Sequence, residues 1–194
     1  MASVTVTGST PALFEPKQEP VLPEGYTLHV GYPPIQDYLH LRRASGLSPK
    51  TAAQAAPIPH HSWYGCYVTF TESGTPHHEK KKANESVVAM GRIIGDGGWY
   101  FHIADMAVLP AHQRRGLGGA VLRHLLEHIK ANAPGPSPGD VNDSNTDLGA
   151  YVTLFADKPG QDLYARHGFI ETMPQGQMGM MMPMGKRIGE NALC

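Results

Sequence analysis

The run from Trp99 to Ile129 constrains the fold of this chain more than any other segment. Trp99 to Val108 is rich in aromatic and aliphatic residues and stops before Pro110, as a strand does. Gln113-Arg114-Arg115-Gly116-Leu117-Gly118-Gly119 follows, and Leu117, Val121, Leu122, Leu125, Leu126 and Ile129 then recur at helical spacing. Arg123, His124, Glu127 and Lys130 take the other face of that helix. A strand that turns through glycines into a helix with one apolar stripe must lay the stripe on a sheet. The predicted class is therefore α/β (α+β), a mixed central sheet flanked by helices.

The turn is suited to an anion. The first turn of a helix offers unpaired N–H groups and the positive end of its dipole. Gly116, Gly118 and Gly119 remove side chains that would hold a phosphate off the backbone, and Arg114 and Arg115 add positive charge at the rim. Two common nucleotide loops do not fit. A Walker loop needs Gly-Lys-Ser/Thr where this chain reads Gly119-Ala120-Val121, and the dinucleotide fingerprint needs a third glycine where Val121 stands. Taken alone, the glycines are equally compatible with a helix start that binds nothing.

Elsewhere, Tyr26 to Tyr32 predicts a first strand and Ile35 to Ala44 a helix. Ser48-Pro49 reads as the cap of a short second helix through Thr51 to Ala56. Trp63 to Phe70 and Val87 to Ile94 predict a hairpin, Ala150 to Ala156 a strand, and Gly160 to His167 a short helix. Phe169 onward should return as strand, with Met178 to Met184 as a final one. Residues 1–24 read as a disordered tail, and 25–194 as a single domain with polar insertions near 71–86 and 133–148. Those stretches bury too little apolar surface to offset the entropy of ordering them.

Composition removes several classes. The chain is 41% hydrophobic and 17% charged, with a net charge of −1 and no basic stripe, so a nucleic-acid partner has no electrostatic support. No apolar run is long enough for a bilayer, and the first residues lack a signal-peptide pattern, so a cytoplasmic or nuclear place is expected. Cys66 and Cys194 are too far apart in sequence to suggest a disulfide or a zinc site, and no metal is expected. A homodimer is compatible with all of this.

Three segments in register then carry a resemblance. Gln113-Arg114-Arg115-Gly116-Leu117-Gly118 matches the Q/R-x-x-G-x-G/A signature of the GCN5-related N-acetyltransferases. It follows Asp105-Met106-Ala107-Val108-Leu109-Pro110, which resembles the strand before that loop, and Leu163-Tyr164-Ala165-Arg166-His167-Gly168-Phe169 resembles the family's LYxxxGF segment. The resemblance spans roughly Val87 to Ile170. It implies the fold of that family, with the sheet splayed between Trp99–Val108 and Ala150–Ala156 and the pantetheine arm of acetyl-CoA lying in the splay. It also implies backbone contacts from Met106, Ala107 and Val108, and a pyrophosphate held by Gln113, Arg114, Arg115, Gly116, Leu117, Gly118 and Gly119. Asp157 stands where the family commonly has Asn, a departure that removes a donor from any cofactor contact.

Acetyl transfer to an amine needs a base for the ammonium and a donor for the leaving thiolate. By resemblance Tyr164 is the donor. His102 is the first candidate base, at a position where relatives place a basic Glu or His, and its ordinary pKa suits the task. Asp105 is the second. Strand alternation puts His102 and Ala104 on one face and Phe101 and Ile103 on the other. His102-Ile103-Ala104-Asp105-Met106-Ala107-Val108 also resembles a strand of glucosamine-6-phosphate acetyltransferases, although Ala104 replaces an acidic residue there. The remaining histidines read as surface groups, among them His60-His61, His77-His78, His112, His124 and His128. Trp99-Tyr100-Phe101 reads as sheet core, and Arg42 and Arg43 as a solvated face. The expected activity is acetylation of a primary amine on a small molecule. Acetylation of a peptide N terminus or lysine, and a non-catalytic coenzyme A sensor, are the competing readings.

Overall fold

The computed structural model describes residues 22–72, 85–135 and 149–176. The expected strand at Met178 to Met184, the pair His77-His78 and most of the terminal tail and the two polar insertions lie outside the described residues. The elements run β1 (Tyr26–Val30), α1 (Ile35–Ala44), α2 (Ala52–Ala55), α3 (Ile58–His61), β2 (Tyr64–Thr71), β3 (Glu85–Gly95), β4 (Tyr100–Val108), α4 (Leu117–Asn132), β5 (Tyr151–Thr153) and α5 (Gln161–Arg166). The sheet has five strands in the order β1-β2-β3-β4-β5. Neighbours are antiparallel except β4 and β5, which are parallel and joined through α4.

Each face of the sheet is covered by what the sequence pattern supplies. Leu117, Val121, Leu122, Leu125 and Ile129 of α4 are buried with Val68, Val88, Ile93, Phe101 and Ile103 of the sheet. Each such aliphatic side chain contributes roughly 1.5–3 kcal/mol on burial, which outweighs any capping interaction in seating the helix. On the opposite face, Tyr38 and Leu41 of α1 and Ala55 of α2 pack with Met90 and Ala107.

Several boundaries depart from expectation. The cap of α2 is Thr51, not Ser48: Thr51 Oγ1 accepts from Gln54 N–H (3.2 Å) and Gln54 Oε1 accepts from Thr51 N–H (3.0 Å). This reciprocal box ties up two backbone donors, which Ser48 before a proline does not do here. Helix α3, capped by Pro57, stands where the sequence pattern assigns no element. Phe169 onward is not a strand over the described residues; a 3₁₀ turn at Met173–Gln175 stands there instead. β5 is shorter than expected because it finds partners only at Tyr100↔Tyr151, Phe101↔Val152 and His102↔Thr153. Beyond that last pair β4 and β5 are not paired, and β4 runs on to Val108 along an opening.

Candidate active site

A bulge in β4 organises the side of this opening formed by that strand. Arg92 of β3 faces Ala104 and Met90 faces Ala107, so Gly91 alone opposes both Asp105 and Met106. The extra residue is accommodated by Asp105 at φ +55°, a left-handed conformation uncommon outside glycine. Met106 reaches the α4 face, where a Cβ at Gly91 would stand 2.6 Å from Met106 Sδ and 2.7 Å from Val121 Cγ1. Glycine is required there by the close approach.

Asp105 meets α1. Its carboxylate accepts from Tyr38 Oη (2.6 Å), from Arg42 Nη1 and from Arg92 Nε. The three charged side chains are only 9%, 16% and 11% exposed for Arg42, Arg92 and Asp105. Arg42 also donates through Nε and Nη2 to Ser48 O, and Arg92 Nη1 donates to Ser62 Oγ (2.8 Å). Burial pushes the Asp105 carboxyl up, but the Tyr38 hydrogen bond and the two guanidinium charges outweigh it and hold the group below the usual range. Burial and the neighbouring carboxylate raise the Tyr38 phenol. Arg42 is thus an ion-paired buried side chain and not part of a solvated face, whereas Arg43 is exposed. The sequence did offer a signal, since Tyr38, Leu41 and Arg42 stand at i, i+3 and i+4, on one helical stripe. Arg92, the one charge in the run Val87 to Ile94, was a second clue.

His102 closes the apex. It sits on the last residue pair before the opening, and its Nδ1 lies 3.0 Å from Thr153 Oγ1. Its ring lies 5.4 Å from that of Phe155. Burial first and the Arg92 charge second lower its pKa from the ordinary value, opposed by Asp105, so the imidazole is neutral at pH 7. Phe101 and Ile103 are buried on the α4 side, as alternation requires. Trp99 and Tyr100 are 61% and 42% exposed, so of that aromatic run only Phe101 is core.

The glycine-rich loop follows a 3₁₀ turn at Pro110–His112. Arg114 (φ +62°) and Gly116 (φ +83°) both take left-handed conformations, and Gly116 caps α4 with no side-chain bond. The first intrahelical bond there runs from Ala120 N–H to Gly116 O (3.0 Å), leaving the N–H groups of Leu117, Gly118 and Gly119 ahead of it. Gln113, Arg114 and Arg115 are exposed around them. The glycines divide their work: nothing lies within 4 Å of a Cβ on Gly116, whereas at Gly118 and Gly119 it would touch Leu163 (3.4 Å) and His167 (3.6 Å). Gly118 and Gly119 thereby let α5 approach α4. Leu109 N–H bonds Val88 O, so antiparallel alternation turns the Val108 backbone groups into the opening, where Gln113 Nε2 donates to Val108 O (3.0 Å). Ala107 is buried and Met106 half-buried beside it.

Tyr164 lies half-buried on α5, with Phe169 against its ring at 6.0 Å. Burial, and then the charge of exposed Asp157, raises its phenol. Its hydroxyl therefore keeps its proton throughout the neutral range. Other side chains have local partners. His124 Nε2 bonds Tyr64 Oη (2.9 Å), His128 stacks on the Tyr64 ring (3.5 Å), and His112 Nδ1 bonds Tyr26 Oη (2.9 Å), so these part-exposed histidines pack on tyrosines of the sheet. His60 and His61 are exposed. Burial pushes the Cys66 thiol up to about 12, which makes it a poor nucleophile. Among the described residues no group of three or more His, Cys, Asp or Glu could hold a metal, and no helix is long and apolar enough to cross a membrane.

Comparison with known proteins finds similarity in both sequence and fold. A family model described as an acetyltransferase (GNAT) domain matches residues 78–171. The uncharacterised N-acetyltransferase ycf52 of Pyropia yezoensis is 28% identical over 102 residues, which cover 53% of this chain and 49% of that protein. The match thus spans about half the length of that relative. A crystal structure of a probable acetyltransferase from meticillin-resistant Staphylococcus aureus superposes with a TM-score of 0.62 at 28% identity, covering 81% of this chain and 98% of that one. A GNAT family protein of Streptococcus pneumoniae shares the fold at 20% identity and a TM-score of 0.57, covering 81% and 97% of the two chains. The mixed sheet and the helices that flank it are thus similar to those of GNAT acetyltransferase structures, and residues 78–171 are similar in sequence to that family's domain.

Proposed function

We propose that the chain transfers acetyl from acetyl-CoA to a primary amine of a small molecule, by direct attack of the amine on the thioester. The observation that carries this reading is the apex of the opening, where β4 and β5 part at His102↔Thr153 and a neutral imidazole stands. The residues present fit the co-substrate. The N–H groups of Leu117, Gly118 and Gly119, with Arg114 and Arg115 beside them, suit a pyrophosphate, and Gly116 leaves the approach open. The Val108 backbone groups turned into the opening suit an extended amide-bearing arm, once Gln113 releases Val108 O. The backbone groups of Ala107 turn to β3 by the same alternation, so Val108 carries this edge with Met106 beside it. Bound there, acetyl-CoA supplies an electrophilic thioester carbonyl.

The protein's own groups then move protons. His102 takes one from the substrate ammonium, directly or through water, since only the free amine is nucleophilic. Tyr164, protonated because burial raises its phenol, donates to the leaving sulfur. Asp105 is a poorer base than the sequence alone suggested, because proton uptake there would cost it two guanidinium partners. Its role is to lock α1 to the bulge and so fix the wall of the acceptor side. Asp157 is assigned to the Tyr164 environment and not to a cofactor hydrogen bond. Acceptor choice in favour of small molecules rests on the absence of a charged peptide groove in the composition.

The test is thiol release from acetyl-CoA against amines, amino sugars, polyamines and peptides. Release with small amines is expected. Faster release with peptides would favour the peptide reading, and tight acetyl-CoA binding without release for any acceptor would make the chain a sensor.

A further inference from the structure

We propose that Thr153 is a positioning residue for the reaction, holding His102 in the tautomer whose Nε2 lone pair is free to take a proton. The inference rests on the reading of His102 as the base. Thr153 is the last residue of β5 paired to β4, directly beside His102 in a parallel pair, so the two side chains rise from the same face. Its hydroxyl makes two contacts, with Phe101 O at 3.3 Å and with His102 Nδ1 at 3.0 Å.

A hydroxyl has one proton to give. If it goes to Nδ1, Thr153 Oγ1 and Phe101 O become two acceptors facing each other across 3.3 Å with nothing between them. If it goes to Phe101 O, which can only accept, the Thr153 oxygen accepts from Nδ1–H and both contacts are satisfied. The second arrangement puts the imidazole proton on Nδ1 and leaves Nε2 bare. The hydrogen bond at one ring nitrogen in this way decides the chemistry of the other. Nε2 takes no hydrogen bond among the described residues. The groups around the ring leave this assignment intact. Arg92 on β3 cannot accept a proton, Asp105 on β4 is held by Tyr38 and both arginines, and Phe155 offers only its ring.

The position also explains the choice of residue. Thr153 is the one aliphatic hydroxyl in β5, and from its place opposite His102 its short side chain reaches both the carbonyl of Phe101 and the ring of the next residue. Valine there would keep the shape and the β-propensity and lose the acceptor.

Long-range nitrogen-15 spectra of the full chain give the test, recorded at a pH where His102 is neutral, for the wild type, Thr153→Val and Thr153→Ser. The wild type and Thr153→Ser are expected to carry the proton on Nδ1. In Thr153→Val the proton moves to Nε2 in a large share of molecules, and kcat for amine acetylation falls on the order of ten-fold, with KM for acetyl-CoA unchanged. Thr153→Ser restores the rate. A wild-type proton on Nε2, an unaltered tautomer in Thr153→Val, or an altered tautomer with unaltered kcat each overturns the proposal. His102→Ala separates this claim from the one beneath it. Unchanged turnover in that variant removes the base and the premise together. Turnover lost in His102→Ala but untouched in Thr153→Val overturns the role of Thr153 alone.

Discussion

Replacing Asp105 by Asn tests whether that carboxylate is an anchor or a base. In the native chain it receives Tyr38 Oη at 2.6 Å and both guanidiniums, and its own side chain is 11% exposed. Asparagine keeps the volume but removes the charge, and one of its two arms becomes a donor facing an arginine N–H. Two largely buried cations then share no anion. Breaking a buried pair from one side costs about 3–5 kcal/mol. At roughly 2–4 °C per kcal/mol for a domain of this size, Tm should fall by roughly 6–20 °C. Thermal unfolding at pH 7, followed by circular dichroism, measures it. Adding Arg42→Met should recover part of the loss, because one stranded charge goes with it. The sign with pH is fixed by the depressed carboxyl: its contribution is complete above the unfolded-state value of about 4 and is lost as pH falls through the lower folded value. The difference between Asp105→Asn and wild type should therefore close only below about pH 4. A variant within about 1 kcal/mol of wild type at pH 7 that nonetheless loses the acid limb of its rate profile would refute the anchor and make Asp105 the base.

Gly91→Ala should destabilise by about 1–3 kcal/mol in urea unfolding, since the new Cβ meets Val121 Cγ1 at 2.7 Å. The Met106 thioether at 2.6 Å can swing away, but a valine inside a helix has little rotamer freedom, so Val121→Ala should rescue the variant. Tyr164→Phe is expected to lower kcat by roughly 10–100-fold while KM for acetyl-CoA changes little; an unchanged rate removes it as the proton donor. The acid limb of kcat/KM should lie below pH ~6.5, because burial and Arg92 lower His102, and His102→Ala should flatten it. Gly116→Val forces a branched residue to φ +83° at the entrance to α4. Calorimetry should then show weaker acetyl-CoA binding, and undiminished affinity would contradict the cradle.

What was legible in the sequence was what depends on neighbours along the chain. Helix α1 runs over the predicted Ile35–Ala44, and the apolar stripe of α4 packs on the sheet as its periodicity required. The buried faces of Phe101 and Ile103 followed from alternation alone. The capping box at Thr51 was also legible, as Thr-x-x-Gln, but Ser48-Pro49 is the louder signal of the two. What depends on distant partners was not legible. Arg42 looked solvated because its carboxylate stands 63 positions away, and Tyr64 and Tyr26 gave no sign that they would claim His124 and His112. Thr153 could not be singled out, since its meaning depends on a parallel register that no local pattern fixes.

The bulge explains why so much of the site hangs on one irregularity. In a regular strand Asp105 would alternate with Ala104 onto the α4 side, and a charge would enter the layer formed by Val121 and Leu125. The extra residue and the left-handed turn at Asp105 send the carboxylate to α1 and give its place in that layer to Met106. The same shift resets the phase of the strand beyond it, so that Val108 turns its backbone groups to the opening while Ala107 packs beneath α1. Arg42 thus fastens α1 to the bulge, Val108 turns to the opening, and His102 stands at the point where β5 lets go; in the proposed function these are the acceptor wall, the cofactor edge and the base. A substitution that straightened the strand would disturb all three together, whereas one that removed only the Asp105 charge should leave the Val108 edge in place. Those two failures differ in cofactor affinity, which is why measuring acetyl-CoA binding alongside turnover in Asp105→Asn distinguishes a lost wall from a lost strand.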